Sequence, residues 1–371
     1  SVWSKIDKQS DVGKEMNEKG YYIPDTEWID FFNPDAAAAY WQNFSSKMLP
    51  LGIDAWWLDA TEPENDDLQN RMIFNSTLPG ELYRNVYPMY VNKTVLDAAS
   101  VEVPDASTTW DEFMEDCQKI KDAGYTPVAA SLAQIPHYWF EFTIYNQLSP
   151  ATHNVLPESV DDEHGKAWVD GIGDIKTMYE KGYFPDNTLS GTDDETFQAF
   201  LDGKAAFLID GSWKLGGIEE ATDDIDNFTV TYVPAKGDRK ATDIIGGLSS
   251  GYYITKKAWD NPDKREAAVS FVEYMTTNEM VSKFAQTSAT ALKDGATVDE
   301  SQLSSLGKSG LEMVNGITGI AGAVQDQIPT ECRVPVFDGM PNLVTGKVEI
   351  KDAVSEVLTL IKDYTPEESA Q

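Results

Sequence analysis

Cysteine and histidine are nearly missing from this chain of 371 residues, with two of the first and three of the second. Two cysteines cannot build the disulfide framework of a small stapled fold. His137, His153 and His164 lack the spacing of a metal-ligand set, so they are expected at the surface or at caps, and neither a metal nor a cofactor is expected. No run of about 18 apolar residues exists, which excludes a transmembrane helix. Positive charge is scarce too: 29 basic residues face 62 acidic ones, a net charge of −33. A phosphate backbone would be repelled, so no nucleic-acid partner is expected. There is no internal repeat, no low-complexity tract and no Gly/Ser-rich or Pro-rich linker between tethered domains.

What remains is an ordinary globular composition, 41% hydrophobic and 25% charged, long enough for two or three domains. The aromatic content is high for so acidic a chain: 10 Trp, 16 Tyr and 15 Phe. Two readings fit it, flat rings that pack on the apolar faces of sugars or simply a Trp-rich core. Cys117 shares helical spacing with Phe113 and Ile120 and reads as a buried, inert thiol. Cys332 lies in a loop-like stretch, Pro329–Pro335, and a bridge between the two is not expected.

The pattern along the chain is uneven. In the first quarter Asn33-Pro34-Asp35 reads as a helix start, with a helix over Ala36–Leu49. Ile53–Leu58 reads as a short buried strand followed at once by acidic residues. From about residue 105 an α/β alternation sets in. Thr109-Trp110-Asp111-Glu112 is a capping box opening a helix that ends at Gly124. Strands are expected at Pro127–Ser131, Ala205–Ile209, Thr229–Val233 and Gly251–Ile254. Helices are expected at Ile135–Asn146, Lys166–Lys181, Asp194–Leu201 and from Asn261-Pro262 onward, with a disordered tail over Thr365–Gln371.

One constellation lies in IDAWWLDATEPE, residues 53–64. A buried strand ending in Asp59 puts a carboxylate where a (β/α) barrel places its active site, with Glu62 three residues on to hold it. Glycosidic cleavage with Asp59 as nucleophile is the chemistry this would serve; an acidic strand end on a surface is the plainer alternative. Residues 1–95 resemble a piece of a glycoside hydrolase family 31 enzyme, nearest its α-xylosidase branch. The strings that carry the resemblance are GYYIPDTEWIDFFNPDAAAAYW, GIDAWWLDATEPENDD and LPGELYRNVYPMYVNKTV. It implies that Asp59 is the nucleophile, that Glu62 is its acidic neighbour and that Trp28 and Asp30 belong to an upstream loop. The departure is large. A barrel takes about 250 residues, and a retaining glycosidase needs two carboxyl groups about 5–5.5 Å apart. No motif for the second acid follows residue 95, so hydrolysis is expected to be absent or very slow.

Residues 86–362 resemble a different family, the family 1 extracellular solute-binding proteins of carbohydrate ABC transporters. The strings are TTWDEFMEDCQKIKDAGYTPVAAS, HYWFEFTIYN, FQAFLDGKAAFLIDGSW, IIGGLSSGYYITKKAWDNPDKREAAVSFVEYM and VPVFDGMPNLVTGKV. The resemblance implies an α/β fold of the type II periplasmic-binding-protein kind: two lobes joined by crossing segments, the ligand between them, and closure about a hinge. It implies an oligosaccharide ligand, a membrane permease as partner and a monomeric, lipoprotein-type receptor outside the cytoplasm, its signal segment not present in this chain. A sugar site needs rings to stack on and polar groups for hydroxyls. Trp139, with Tyr138 and Glu141, is one candidate group, and Trp213 with Asp210 another. Asp210-Gly211-Ser212-Trp213 follows a strand and opens a helix, where open α/β sheets bind ligands. Gly246 and Gly247 permit close backbone approach. Each has a plainer reading, core packing for Trp139 and a turn for the glycines.

The family's first strands are not matched, so an incomplete N-terminal lobe is expected, preceded by the barrel fragment. VYPMYVNKTVLD, residues 86–97, satisfies both patterns. The expected organisation is a hydrolase-like segment over 1–95 and a solute-binding domain over 96–371, with sugar binding as the function and an active α-xylosidase or α-glucosidase as the alternative.

Overall fold

The computed structural model describes residues 11–22, 29–30, 33–48, 83–134, 137–153, 155–250, 252, 254, 256–288 and 297–364. Asp59, Glu62, the expected strand Ile53–Leu58 and the tail Thr365–Gln371 lie outside the described residues. The chain divides into two compact units. The smaller comprises Ser1–Phe74, Thr255–Lys257 and Thr365–Gln371, and the larger comprises Asn75–Ile254 and Ala258–Tyr364.

In the smaller unit, α1 (Asp11–Glu18) and α2 (Pro34–Met48) accompany an antiparallel bridge between Tyr22 and Ile29. Met16, Tyr22, Ile29, Ala36 and Tyr40 form its buried cluster. Asn33 caps α2 as the sequence predicts: its Oδ1 accepts from the amides of Asp35 at 3.0 Å and Ala36 at 3.4 Å. Helix α1 leaves little trace in the sequence, because Val12 and Met16 alone are too few apolar positions to show a helical stripe.

The larger unit contains β1 (Tyr83–Val86), β2 (Met89–Asn92), α3 (Lys93–Ala99), α4 (Trp110–Asp122), β3 (Thr126–Val128), α5 (His137–Ile144), α6 (Glu163–Glu180), α7 (Asp193–Leu201), β4 (Ala205–Ile209), α8 (Lys214–Ala221), β5 (Phe228–Thr231) and β6 (Asp243–Ser250). After these come α9 (Pro262–Met275), α10 (Asn278–Ser288), α11 (Ser305–Asn315), β7 (Gly319–Ala321), α12 (Thr330–Arg333), α13 (Met340–Val344) and α14 (Ile350–Asp363). One sheet has the order β1-β6-β7, with β1 antiparallel and β7 parallel to β6. The other has the order β3-β4-β2-β5, with β3 parallel to β4 and β2 antiparallel to both β4 and β5. Strands β2 and β4 are buried along their whole length, which is why MYV and AAFLI are continuous apolar runs without alternation, with the buried Asn92 closing β2 as the cap of α3. The larger unit thus already includes residues 75–95, β1 and β2 among them. Strand β6 ends where its pairing with β1 ends, at Ser250, and neither Tyr252 nor Ile254 is in a strand.

Helix α4 begins at the predicted capping box: Thr109 Oγ1 accepts from the Glu112 amide at 3.3 Å, and Glu112 Oε2 accepts from the Thr109 amide at 2.8 Å. Its Trp110, Phe113, Cys117 and Ile120 form one buried stripe. Helices α5 and α6 meet at backbone distance across Gly171, where a Cβ would stand 2.2 Å from the Ile144 Cα. Cys117 and Cys332 are both free and buried; Cys332 sits in the short helix α12 rather than in a loop.

The two sheets are joined where the chain crosses between them, at Tyr87-Pro88 and at 232–242. The guanidinium of Arg239 fills the second crossing. Its Nε donates to the Asp243 carbonyl at 3.0 Å. Nη1 donates at 3.2 Å to Asn146 Oδ1, Val233 O and Pro234 O, and Nη2 donates to Val233 O at 3.3 Å. The group stacks over the Phe142 ring at 4.9 Å and is buried. His153, expected at the surface or at a cap, is instead buried beside the Tyr145 ring at 5.3 Å. Burial, with Arg239 nearby, pulls its pKa down to about 4. His164 does satisfy a backbone group: its Nε2 lies 2.8 Å from the Thr152 carbonyl oxygen.

Two stability predictions follow from this crossing. Arg239→Met strands several buried carbonyls and is expected to cost about 3 kcal/mol or more in urea unfolding followed by circular dichroism; a loss below about 1 kcal/mol would contradict the assigned role. The imidazole of His153 has its ordinary pKa near 6.5 in the unfolded chain and about 4 in the fold. The unfolded state therefore takes up the proton first. Stability is complete above pH 6.5 and declines toward pH 4, by on the order of 3 kcal/mol from this group. His153→Gln should flatten that part of the urea midpoint against pH.

Candidate functional site

Strand β4 carries five buried residues and delivers Asp210-Gly211-Ser212-Trp213 at its C-terminal end, where α8 begins. Asp210 is fully buried. Its Oδ1 accepts from the Gly211 amide at 2.6 Å, and its Oδ2 lies 3.6 Å from Lys214 Nζ. The same ammonium lies 3.8 Å from Asp193 Oδ2 and 4.4 Å from the centre of the Phe197 ring. Burial raises the Asp193 carboxyl above the usual range. Tyr90, fully buried on β2, donates its hydroxyl to the Gly211 carbonyl at 2.9 Å. Burial, and then the Asp210 carboxylate, hold that phenol well above its ordinary pKa.

Ser212 closes this turn onto the end of β1. Its amide donates to the Val86 carbonyl at 2.9 Å, and its Oγ accepts from the Val86 amide at 3.4 Å. On the other side of β1, Val86 stands opposite Gly246 and Asn85 opposite Gly247. Four residues singled out from the sequence, Asp210, Trp213, Gly246 and Gly247, are therefore gathered around one strand end, next to the Tyr87-Pro88 crossing. Pro88 accepts from the Asp210 amide at 3.3 Å, and Tyr87 donates its amide to Ile245 at 3.1 Å. The Trp213 indole is 43% exposed and stands edge-on to the buried Tyr87 ring, 5.7 Å between centres at 80°. Behind the turn is a small apolar hollow lined by Val86, Pro88, Tyr90, Ser212, Leu215 and Met313.

The second predicted group is placed in the interior by α5. Trp139 is 1% exposed and meets Phe184 edge-on at 5.5 Å. Its Nε1 has no acceptor among the described residues. Glu141 is buried, and its carboxylate receives the amides of Val324 at 3.0 Å and Gln325 at 3.3 Å, capping the turn Val324–Gln327. The Tyr138 side chain lies outside the described residues. Tyr87, Tyr90, Asp193 and Lys214 were not singled out from the sequence. The signal for the two tyrosines was available in VYPMYV, where a Tyr-Pro pair separates two strand-like runs. Among the described residues no group of His, Cys, Asp and Glu could hold a metal ion, and no helix is long and apolar enough to cross a membrane.

The sequence profile of the bacterial extracellular solute-binding proteins matches residues 29–281. The chain belongs to that family. The match begins inside the hydrolase-like stretch and runs through the crossing and the Asp210–Trp213 turn. Solved structures share the fold at low identity. A chitin oligosaccharide binding protein has a TM-score of 0.66 and 19% identity, over 89% of this chain and 80% of that one. The GacH receptor of Streptomyces glaucescens, solved unliganded and with acarbose, has 0.58 and 17%, over 98% of both chains. Maltose-bound MalE3 of T. maritima has 0.60 and 15%, over 86% and 79%. These solved structures are type II periplasmic binding proteins, so the expected α/β fold of that type holds. A curated relative of another kind, the alpha-xylosidase of Saccharolobus solfataricus, is 31% identical over 105 residues. This chain spans only 14% of that enzyme's length.

Asp210→Asn keeps an acceptor for the Gly211 amide but removes the charge that faces Lys214. We expect a loss of about 1–2 kcal/mol in thermal or urea unfolding. An unchanged midpoint would mean that the carboxylate does not organise this turn.

Proposed function

We propose that this chain is the substrate-binding component of an ABC-type carbohydrate importer, capturing a neutral oligosaccharide outside the cytoplasm and passing it to a membrane permease. The observation that carries the reading is the half-exposed Trp213 ring at the crossing between two sheets, on the turn that also holds Asp210. An indole offers an apolar face to a pyranose, while nearby polar groups and glycine backbone address its hydroxyls. Support comes from the ligands of the similar structures: chitin oligosaccharide, maltose and acarbose. Neutral sugar fits better than an anionic one, because Asp193 and Asp210 already outnumber Lys214 there and the whole chain is acidic. We assign sugar contact to Trp213 and Gly247, the shaping of the turn and strand end beneath them to the buried Asp210 and Gly246, and a packing role to the buried Trp139 and Glu141. Tyr138 is kept as a ligand-binding candidate. The receptor acts as a monomer that closes about its crossings.

Within this reading, the hydrolase-like segment over 1–95 precedes the solute-binding body at 96–371 but lends it β1 and β2, and the chain is not an enzyme. The likeness to an alpha-xylosidase gives the rival reading, a retaining glycosidase with Asp59 as nucleophile and Glu62 in support. It covers far less than the roughly 250 residues of a barrel.

Calorimetric titration with xylo-, gluco- and chito-oligosaccharides tests the proposal. Saturable binding is expected to at least one of them, weakened about tenfold or more by Trp213→Ala. No heat and no thermal shift across the panel would count against it. No release of p-nitrophenol from p-nitrophenyl α-xyloside is expected, and turnover abolished by Asp59→Ala would establish the rival.

A further inference from the structure

Trp213 is not simply displayed at the end of β4; its ring is folded back over its own turn. A Cβ built on Gly211 would lie 2.2 Å from the indole Cη2 and 2.3 Å from Cζ2 and Cζ3. No side chain tolerates such a contact, so the outer edge of the six-membered ring occupies the space that any residue other than glycine would fill at position 211. Gly211 itself is held tightly. Its amide donates to Asp210 Oδ1 at 2.6 Å, and its carbonyl accepts from the buried Tyr90 hydroxyl at 2.9 Å. The backbone beneath the ring therefore cannot yield easily. The other boundary is Tyr87, at right angles to the indole and 5.7 Å away, itself buried and tied through its amide to Ile245. A glycine floor and a tyrosine wall fix the plane of a ring that is still 43% exposed.

We infer that Gly211 and Tyr87 are the positioning residues of the site, setting the plane of the Trp213 indole and with it the tilt of the sugar the ring accepts. The inference rests on the proposal that a carbohydrate stacks on Trp213. A pyranose stacks through one apolar face, so ring tilt decides which hydroxyls reach the polar groups of the turn. A Cβ at position 211 pushes the indole off its floor and misaligns every later contact, although the indole itself remains present. Neither residue touches the ligand in this account; both act through Trp213.

The test uses the full chain and the neutral oligosaccharide from the titration panel that binds the wild type. Gly211→Ala is expected to lower affinity at least tenfold, approaching the loss in Trp213→Ala, and to alter the indole near-ultraviolet circular dichroism and emission while the melting temperature stays close to wild type. Trp213→Phe has a shorter ring. In that background the added Gly211→Ala is expected to cost less than threefold, because the clash is gone. Tyr87→Phe keeps the aromatic wall and should bind like wild type, whereas Tyr87→Ala should bind at least fivefold more weakly. If Gly211→Ala unfolds, the Tyr87 pair and the Trp213→Phe background still decide the matter. Gly211→Ala binding and emitting like wild type, or Tyr87→Ala binding like Tyr87→Phe, would overturn the inference. Failure of the wild type to bind any sugar would instead reject the underlying functional proposal.

Discussion

A single buried guanidinium holds the junction between the two sheets of the larger unit. Arg239 sits on the chain's return from β5 to β6, and its donors go to Val233, Pro234, Asp243 and Asn146. Those acceptors belong to the exit from one sheet, the start of a strand in the other and the end of α5. Arginine suits this position because its planar fork serves several fixed acceptors at once and stays charged at neutral pH. The backbone here turns between sheets, so its carbonyls cannot find ladder partners, and a buried carbonyl without a donor is costly. The arginine resolves a problem that the topology creates.

The candidate site stands at the other crossing, for a related reason. Between β1 and β2 the chain has only Tyr87 and Pro88 in which to change sheets. Strand β4 lies beside β2, so its C-terminal turn arrives at the same place, and β6 lies beside β1, so Gly246 and Gly247 arrive there too. Three stretches far apart in sequence meet because two strand pairings demand it. A half-exposed tryptophan at such a meeting point is attached to the element through which one sheet would move relative to the other. Binding and closure can then be the same event.

Much of this was legible in the sequence. The capping box at Thr109, the cap at Asn33, the apolar run of β4 and the buried Cys117 all declare themselves through local chemistry. The turn Asp210–Trp213 was legible because strand, glycine and helix start follow one another directly. What escaped was set by partners distant in sequence. Nothing near His153 marks it for burial; its surroundings come from Tyr145 and the Arg239 crossing. Arg239 reads as an ordinary loop cation in Lys-Gly-Asp-Arg until its five hydrogen bonds are seen. Glu141 reads as a polar group beside aromatic residues, whereas its carboxylate meets two amides more than 180 positions away. Gly211 reads as a turn residue, and only the folded indole shows that its missing side chain makes room for a ring.

The central claim is that ligand binding takes place at the Tyr87-Pro88 crossing and is felt there. Hydrogen–deuterium exchange of the full chain, with and without a saturating neutral oligosaccharide, measures this directly. Peptides spanning 86–90 and 210–214 should gain protection on binding, while those of α1 and α2 stay unchanged. A bound sugar that leaves both crossing peptides exchanging at their free rate, with protection elsewhere, would contradict the account.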